Sequence, residues 1–150
     1  MNSSDIPFIR PMNRDDLDAV LTIEQASFSA PWCREHFEHE ISAVYSFPFV
    51  VEQNGMIMGY VCLMSLFEEA QILDIAVDPE LRGRGVARRL LEYAIMVALE
   101  KGAEVLALEV RASNAAAISL YERCGFVCTG VRVKYYEGRD DAVLMEKSLQ

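Results

Sequence analysis

The chain has 150 residues and a mass of 16.9 kDa, the size of one ordinary domain. Its 52% apolar and 25% charged residues exclude a disordered or fibrous protein. With 14 basic and 23 acidic residues the net charge is −9, which excludes a general nucleic-acid binder, because duplex affinity rests on neutralising phosphates, and favours a cationic partner. No apolar run is long enough to span a membrane, and the first residues lack the basic-then-apolar order of a secretory signal. The expectation is a cytoplasmic chain forming one domain over residues 1–150, with no membrane or direct nucleic-acid partner. Cys33, Cys62, Cys124 and Cys128 lack the paired spacing of a zinc site and are expected as core-filling thiols.

Asn13 to Phe28 is predicted as the first helix, with Asn13 as cap, Asp15 and Asp16 at the positive end of the dipole, and Leu17, Val20, Leu21 and Phe28 as its apolar stripe. Ser29-Ala30-Pro31-Trp32 breaks the run before a short second helix through Phe37 and Ile41. Phe47 to Val51 and Met56 to Leu66 are predicted strands joined at Asn54-Gly55, a pair suited to the type I′ turn, in which both central residues take positive φ. A third strand, Gln71 to Val77, ends at Asp78-Pro79 and completes an antiparallel meander. Val86 to Lys101 is a long helix with Val86, Leu90, Ala94 and Val97 on one face, and Gly102 closes it. Val105 to Val110 is a strand, Asn114 to Arg123 a short helix stopped by Gly125, and Phe126 to Tyr136 and Ala142 to Glu146 are the last strands. A strand–helix–strand unit joined to a meander predicts a mixed α/β fold, its sheet mostly antiparallel with flanking helices, and not a doubly wound one.

From Ile75 to Arg89 a strand runs through a two-glycine loop into a helix. Free N–H groups at a helix start bind anions, and glycine lets the backbone approach a phosphate closely. Arg82, Arg84, Arg88 and Arg89 add four cations within eight residues of an acidic chain, which fits a pyrophosphate; solvated arginines before a surface helix are the other reading of these residues. A Walker loop is excluded for want of Gly-Lys-Ser/Thr, and Arg88 stands where a GxGxxG fingerprint needs glycine or alanine.

Along Val105 to Val110, alternation puts Val105, Ala107 and Glu109 on one face and Leu106, Leu108 and Val110 on the other. Glu109 is thus a carboxylate on a mostly apolar strand, where desolvation would favour a base; a strand-end glutamate facing water is the alternative. Asn114 and Tyr121, seven residues apart on one short helix, share a face, and by themselves read better as an N-cap and a core aromatic. Cys124 is excluded as a nucleophile because the C-terminal end of a helix disfavours a thiolate. His36 and His39, with Glu35 and Glu40, lack a third strong ligand, so no metal is expected.

Arg82-x-x-Gly85-x-Ala87, following LDIAVDP, resembles the acyl-CoA pyrophosphate loop of the GNAT acetyltransferases. The block LEVRASNAAAISLYERCGF, from Leu108 to Phe126, is similar to the second half of the GNAT core. LEVRASNAAAISLYE, with Tyr135-Tyr136, Arg139-Asp140-Asp141-Ala142 and Met145, closely resembles the bacterial ribosomal-protein-alanine N-acetyltransferase (RimI) branch of that family. The resemblance implies a splayed cleft for acetyl-CoA as co-substrate, with no metal. It implies that Ile75, Ala76 and Val77 pair with the pantetheine arm and supply oxyanion donors, that Arg82, Gly83, Arg84, Gly85, Val86, Ala87 and Arg88 hold the pyrophosphate, and that Asn114 holds the CoA arm. Glu109 is implied as the base and Tyr121 as the acid toward the departing thiolate, where positioning of CoA is an equal reading for Tyr121. Phe28 and Trp32 would wall the acceptor groove, with ordinary core packing the other reading of these residues; Tyr135 and Tyr136, on opposite faces of an extended strand, would place at most one ring against the acceptor.

The implied acceptor is the N-terminal alanine of a basic small-subunit ribosomal protein, ribosomal protein 18. Deprotonating an α-amine of pKa about 8 at pH 7 costs about 1.4 kcal/mol, against about 4.6 kcal/mol for a lysine, so a single glutamate suits the α-amine. The alternatives are a GNAT acting on another amine (a lysine, a polyamine or a drug) and an acyl-CoA-binding sensor without turnover.

Overall fold

The computed structural model describes residues 5–150. Seven strands form one sheet in the order β1-β2-β3-β4-β5-β7-β6, and every neighbouring pair is antiparallel except β4 and β5. The strands are β1 Phe8–Pro11, β2 Ser46–Gln53, β3 Met56–Leu66, β4 Glu69–Val77, β5 Val105–Arg111, β6 Val127–Tyr136 and β7 Asp140–Ser148. The helices are α1 Leu17–Ser27, α2 Arg34–Ser42, α3 Val86–Glu100 and α4 Ala115–Arg123. The mixed, mostly antiparallel sheet expected from the sequence is the observed one. No helix among the described residues is long and apolar enough to cross a membrane.

The first helix begins through a 3-10 turn at Arg14–Asp16. There the Asn13 side chain accepts the Asp15 N–H at 2.9 Å and Asp16 accepts the Asn13 N–H at 2.8 Å, a reciprocal cap. It stops at Ser27, one residue short of the predicted end, and Phe28 is extended. Asn54 and Gly55 take φ of 53° and 77°, as the type I′ turn requires. β1 was not anticipated: Pro7 precedes it, Pro11 ends it and Arg10 interrupts its apolar pattern. An edge strand tolerates proline, and Arg10 is bound by Asp16 and Glu52 at 2.8 and 2.7 Å.

The sheet separates two cores. One holds α3 and α4 against β3, β4 and β5 through Leu90, Leu91, Ala94, Leu106, Leu108 and Phe126. The other holds α1 and α2 through Leu17, Val20, Ile23, Phe37 and Tyr60. A Cβ at Gly59 on β3 would stand 2.7 Å from the Ala76 carbonyl oxygen and 3.2 Å from Leu90, so only glycine lets α3 approach there. Of the cysteines, Cys62 is buried and Cys124 partly so, but Cys33 and Cys128 are exposed, which corrects the expectation of four core thiols.

Two irregularities position the site. β4 and β5 pair only from Glu69, Ala70 and Gln71 to Val105, Leu106 and Ala107, and then diverge. On its other side β4 steps from Ile72 opposite Leu63 to Asp74 opposite Cys62, so Leu73 is an extra residue, a bulge. Because strand side chains alternate, one extra residue exchanges the faces beyond it. Ala70 and Ile72 therefore join the α3 core, whereas Ala76 joins the α1 core.

Candidate active site

The divergence of β4 and β5 opens a cleft of about 800 Å3. Its β4 wall carries Ile75, Ala76 and Val77, whose edge toward β5 has no strand partner. Its β5 wall carries Glu109 and Arg111, and α4 contributes Asn114, Ala117 and Tyr121. The loop before α3 contributes Arg82, Gly83 and Gly85, and the helix itself Val86, Ala87 and Arg88. The connection between α1 and α2 adds Phe28, Ser29 and Trp32 to the lining, joined by Tyr136. Arg84 and Tyr135 lie outside this lining; Tyr135 is 51% exposed and packs edge-on to Tyr136 and against Arg132. Only one of the two tyrosines faces the cleft, as strand alternation requires.

The loop fits a phosphate. Gly83 and Gly85 both take φ of 81°, and a Cβ at either would meet nothing within 4 Å, so the space over the loop is open. Gly85 caps α3 without a side-chain hydrogen bond, and the first turn carries no acidic residue, which leaves its amides available to an anion. Arg82 and Arg88 line the cleft, but three of the four arginines already have partners within the protein. Arg82 folds back to the Val77 carbonyl at 3.3 Å and the Ser27 hydroxyl at 3.1 Å, Arg88 pairs with Glu92 at 2.7 Å, and Arg89 donates to the Pro7 carbonyl at 3.2 Å. The backbone amides, more than the guanidinium groups, are thus free to meet an anion here.

Alternation along β5 is as the sequence indicated: Leu106, Leu108 and Val110 are buried and Glu109 lies on the opposite face. The Glu109 side chain is 24% exposed and its Oε1 stands 3.5 Å from an Arg132 nitrogen, so it is less desolvated than a mostly apolar strand led one to expect. Tyr136 lies beside it: burial and then the Glu109 charge push the Tyr136 hydroxyl above its ordinary range, with Arg111 4.4 Å over the ring opposing this. Tyr121 is 7% exposed, and burial, with the neighbouring Asp74, pushes its hydroxyl up to about 12, so it holds its proton at neutral pH. Asn114 caps α4 by accepting the Ala117 N–H at 3.2 Å, so its structural role is realised at the edge of the cleft. His36 stacks on Trp32 at 3.7 Å between ring centroids; among the described residues no three His, Cys, Asp or Glu side chains group for a metal.

Several cleft residues were not singled out from the sequence. Arg111 donates to both Glu137 oxygens at 2.6 and 2.7 Å and to Ser29 at 2.8 Å, tying the α1–α2 connection to the β6–β7 turn across the mouth. These partners are 82 and 26 residues away in the chain, so no local pattern announces them. Glu24 and Asp74 were also missed, although a signal existed: each is a carboxylate within an apolar stretch, the pattern that drew attention to Glu109.

Comparison with known proteins places this architecture. Residues 17–126 match the acetyltransferase (GNAT) family. The ribosomal protein bS18-alanine N-acetyltransferase of Escherichia coli (strain K12) is 39% identical, the alignment covering 91% of this chain and 94% of the relative. A crystal structure of the ribosomal-protein-S18-alanine N-acetyltransferase from Escherichia coli superposes with a TM-score of 0.90 at 36% identity, covering 97% of this chain and 95% of that one. The yncA structure from Salmonella typhimurium, which carries its cofactor acetyl-CoA, shares the fold with a TM-score of 0.81 at 22% identity, covering 96% and 94% of the two chains. The splayed strands, the two-glycine loop at the start of α3 and these likenesses agree: the chain belongs to the GNAT acetyltransferase family.

Proposed function

We propose that the protein transfers an acetyl group from acetyl-CoA to the N-terminal α-amine of a protein, with the N-terminal alanine of ribosomal protein bS18 as acceptor, in the cytoplasm. The observation that carries the reading is the shape of one cleft. One cleft is lined together by an open glycine loop, the unpaired edge of Ile75 to Val77, the side chains of Phe28 and Trp32, and Glu109 from β5. The 39% identity to an enzyme named for the bS18 alanine supplies the acceptor.

Acetyl-CoA supplies the acetyl group as a thioester. The amides of the glycine loop and of the first α3 turn would hold its pyrophosphate, the Ile75 to Val77 edge its pantetheine arm, and Asn114 the same arm from α4. Glu109 takes the proton of the attacking amine, directly or through a water, as the C–N bond forms. Free N–H groups along Ile75 to Val77 stabilise the charge that develops on the carbonyl oxygen. Tyr121, held protonated by burial, donates its proton to the departing sulfur as the C–S bond breaks. Return of the proton from Glu109 to Tyr121 through solvent restores both residues. A thiol of pKa near 8.5 is already a fair leaving group at neutral pH, so Tyr121 contributes less than Glu109. The net charge of −9 suits a basic acceptor.

The test is acetyl transfer to a peptide with a free N-terminal alanine followed by basic residues, and to its N-terminally blocked copy, read by mass spectrometry. Acetylation of the free peptide alone is expected. Acetylation of both would move the acceptor to a side-chain amine. Acetylation of neither, with acetyl-CoA bound, would overturn the reading in favour of a small amine or an acyl-CoA sensor.

A further inference from the structure

Beside the acetyl-transfer residues, the cleft holds a pair of acidic side chains that no step above uses. Glu24 comes from α1 and Asp74 from β4; both border the cleft, and they are 2% and 9% exposed. Glu24 falls within the apolar stripe of α1, one turn after Val20, and the bulge at Leu73 turns Asp74 toward it. Glu24 Oε1 accepts the Tyr60 hydroxyl at 2.5 Å, and Glu24 Oε2 accepts the Trp32 backbone N–H at 3.0 Å. Asp74 Oδ2 is buried and meets no donor from the protein. Two contacting carboxyls do not both ionise in such a place, and one proton between them both removes the repulsion and satisfies the orphaned oxygen. Both Glu24 oxygens already accept a donor, so the proton resides on Asp74. Burial and the adjacent Glu24 push the Asp74 carboxyl up to about 10.

We propose that Glu24 and Asp74 share one proton and act as a positioning pair for the acceptor wall: Glu24 holds the Trp32 amide and so fixes the α1–α2 connection over the cleft, and Asp74 holds Glu24 by donating the shared proton. The inference rests on the reading that the acceptor amine enters beside Phe28 and Trp32. Losing the shared proton puts a second negative charge beside the first and releases the wall. The other groups facing the pair are Tyr60 and Cys62 on β3, Tyr121 on α4 and Glu40 on α2, the last joined by His36 at 3.6 Å. Burial pushes Tyr60, Cys62 and Tyr121 up, so they stay neutral as the pair begins to ionise.

Trp32 is the one tryptophan in the chain, so its emission reports the wall whatever the acceptor is. The experiment titrates that emission from neutral pH to about pH 10.5 and measures the KM for acceptor peptide and for acetyl-CoA alongside. In the wild type, Trp32 emission shifts on the alkaline side and the acceptor KM rises about tenfold, with the acetyl-CoA KM unchanged. Asp74→Asn, whose amide donates to Glu24 permanently and cannot ionise, keeps the neutral-pH acceptor KM within about threefold and loses both alkaline changes. Glu24→Gln leaves either Tyr60 or Trp32 without its acceptor and raises the acceptor KM about tenfold at neutral pH. An alkaline shift that persists in Asp74→Asn overturns the proposal, as does an acceptor KM unmoved by Glu24→Gln. If Glu24→Gln does not fold, the contrast between wild type and Asp74→Asn decides. Failure of every peptide to react, with the Trp32 shift present in wild type and lost in Asp74→Asn, upholds the pair and overturns the acceptor reading instead.

Discussion

The two strands that part to form the cleft each carry a carboxyl group, and the two groups live in opposite settings. On β5, Glu109 is 24% exposed and has a cationic neighbour at 3.5 Å. On β4, Asp74 is buried against a second acid and far above the usual carboxylate range. Both lie within apolar strand sequence, yet only one is desolvated. The difference arises from what faces each strand: β5 turns Glu109 toward the open side, where β6 and its arginine reach over it, whereas the β4 bulge rotates Asp74 into the core beneath α1. An apolar strand around a carboxylate therefore does not tell whether that carboxylate is desolvated. A group near solvent is free to take and release a proton in each turnover, whereas a buried, shared proton serves better to hold structure.

Removing each carboxyl tests this contrast. Glu109→Gln is expected to lower kcat by about 10²-fold or more, the usual contribution of a general base, with acetyl-CoA binding intact by calorimetry. Retained turnover would break the assignment of roles between the walls. Asp74→Asn acts on stability. Because burial raises the folded-state pKa of Asp74 to about 10 from 3.8, the folded chain binds a proton that the unfolded chain releases. That group's contribution therefore falls with rising pH, from about pH 4 until about pH 10, by up to about 1.4 kcal/mol per pH unit. Asp74→Asn should accordingly gain on the wild type as urea melts are moved from pH 6 to pH 9, and parallel curves would refute the shared proton.

The β4 wall also depends on close packing from behind. Gly59→Ala places a methyl group against the Ala76 carbonyl and Leu90, and is expected to cost about 1–3 kcal/mol in denaturant melts and to raise the acetyl-CoA KM by disturbing Ile75 to Val77. The smallest effect is expected of Tyr121→Phe, a loss in kcat of about tenfold at most, since a thiolate leaves with little help at neutral pH. A much larger loss would make Tyr121 an equal partner of Glu109.

Much of this fold was legible because its signals are local. The Asn13 cap, the Asn54-Gly55 turn, the α3 stripe and the alternation along β5 each lie within a few residues and are found where they were expected. The same holds for the two-glycine loop, whose backbone conformation is set by Gly83 and Gly85 themselves. β1 was not legible, because its only reason to be a strand is the edge of β2, forty residues away. Nor was the fate of the arginines: Arg82, Arg88 and Arg89 are claimed by Ser27, Glu92 and Pro7, and their number in the sequence says nothing of that competition.

The amino-acid sequence alone determined the order of elements from the first helix onward, the two-glycine loop before α3 and the family likeness, since each depends on residues close together along the chain. Tertiary structure alone decided where the sheet splits, which face Asp74 takes, and that Glu24, Tyr60 and Trp32 meet. A single extra residue at Leu73 reverses the strand's faces, and nothing in the run Ile72 to Val77 marks where β3 will leave one residue unmatched.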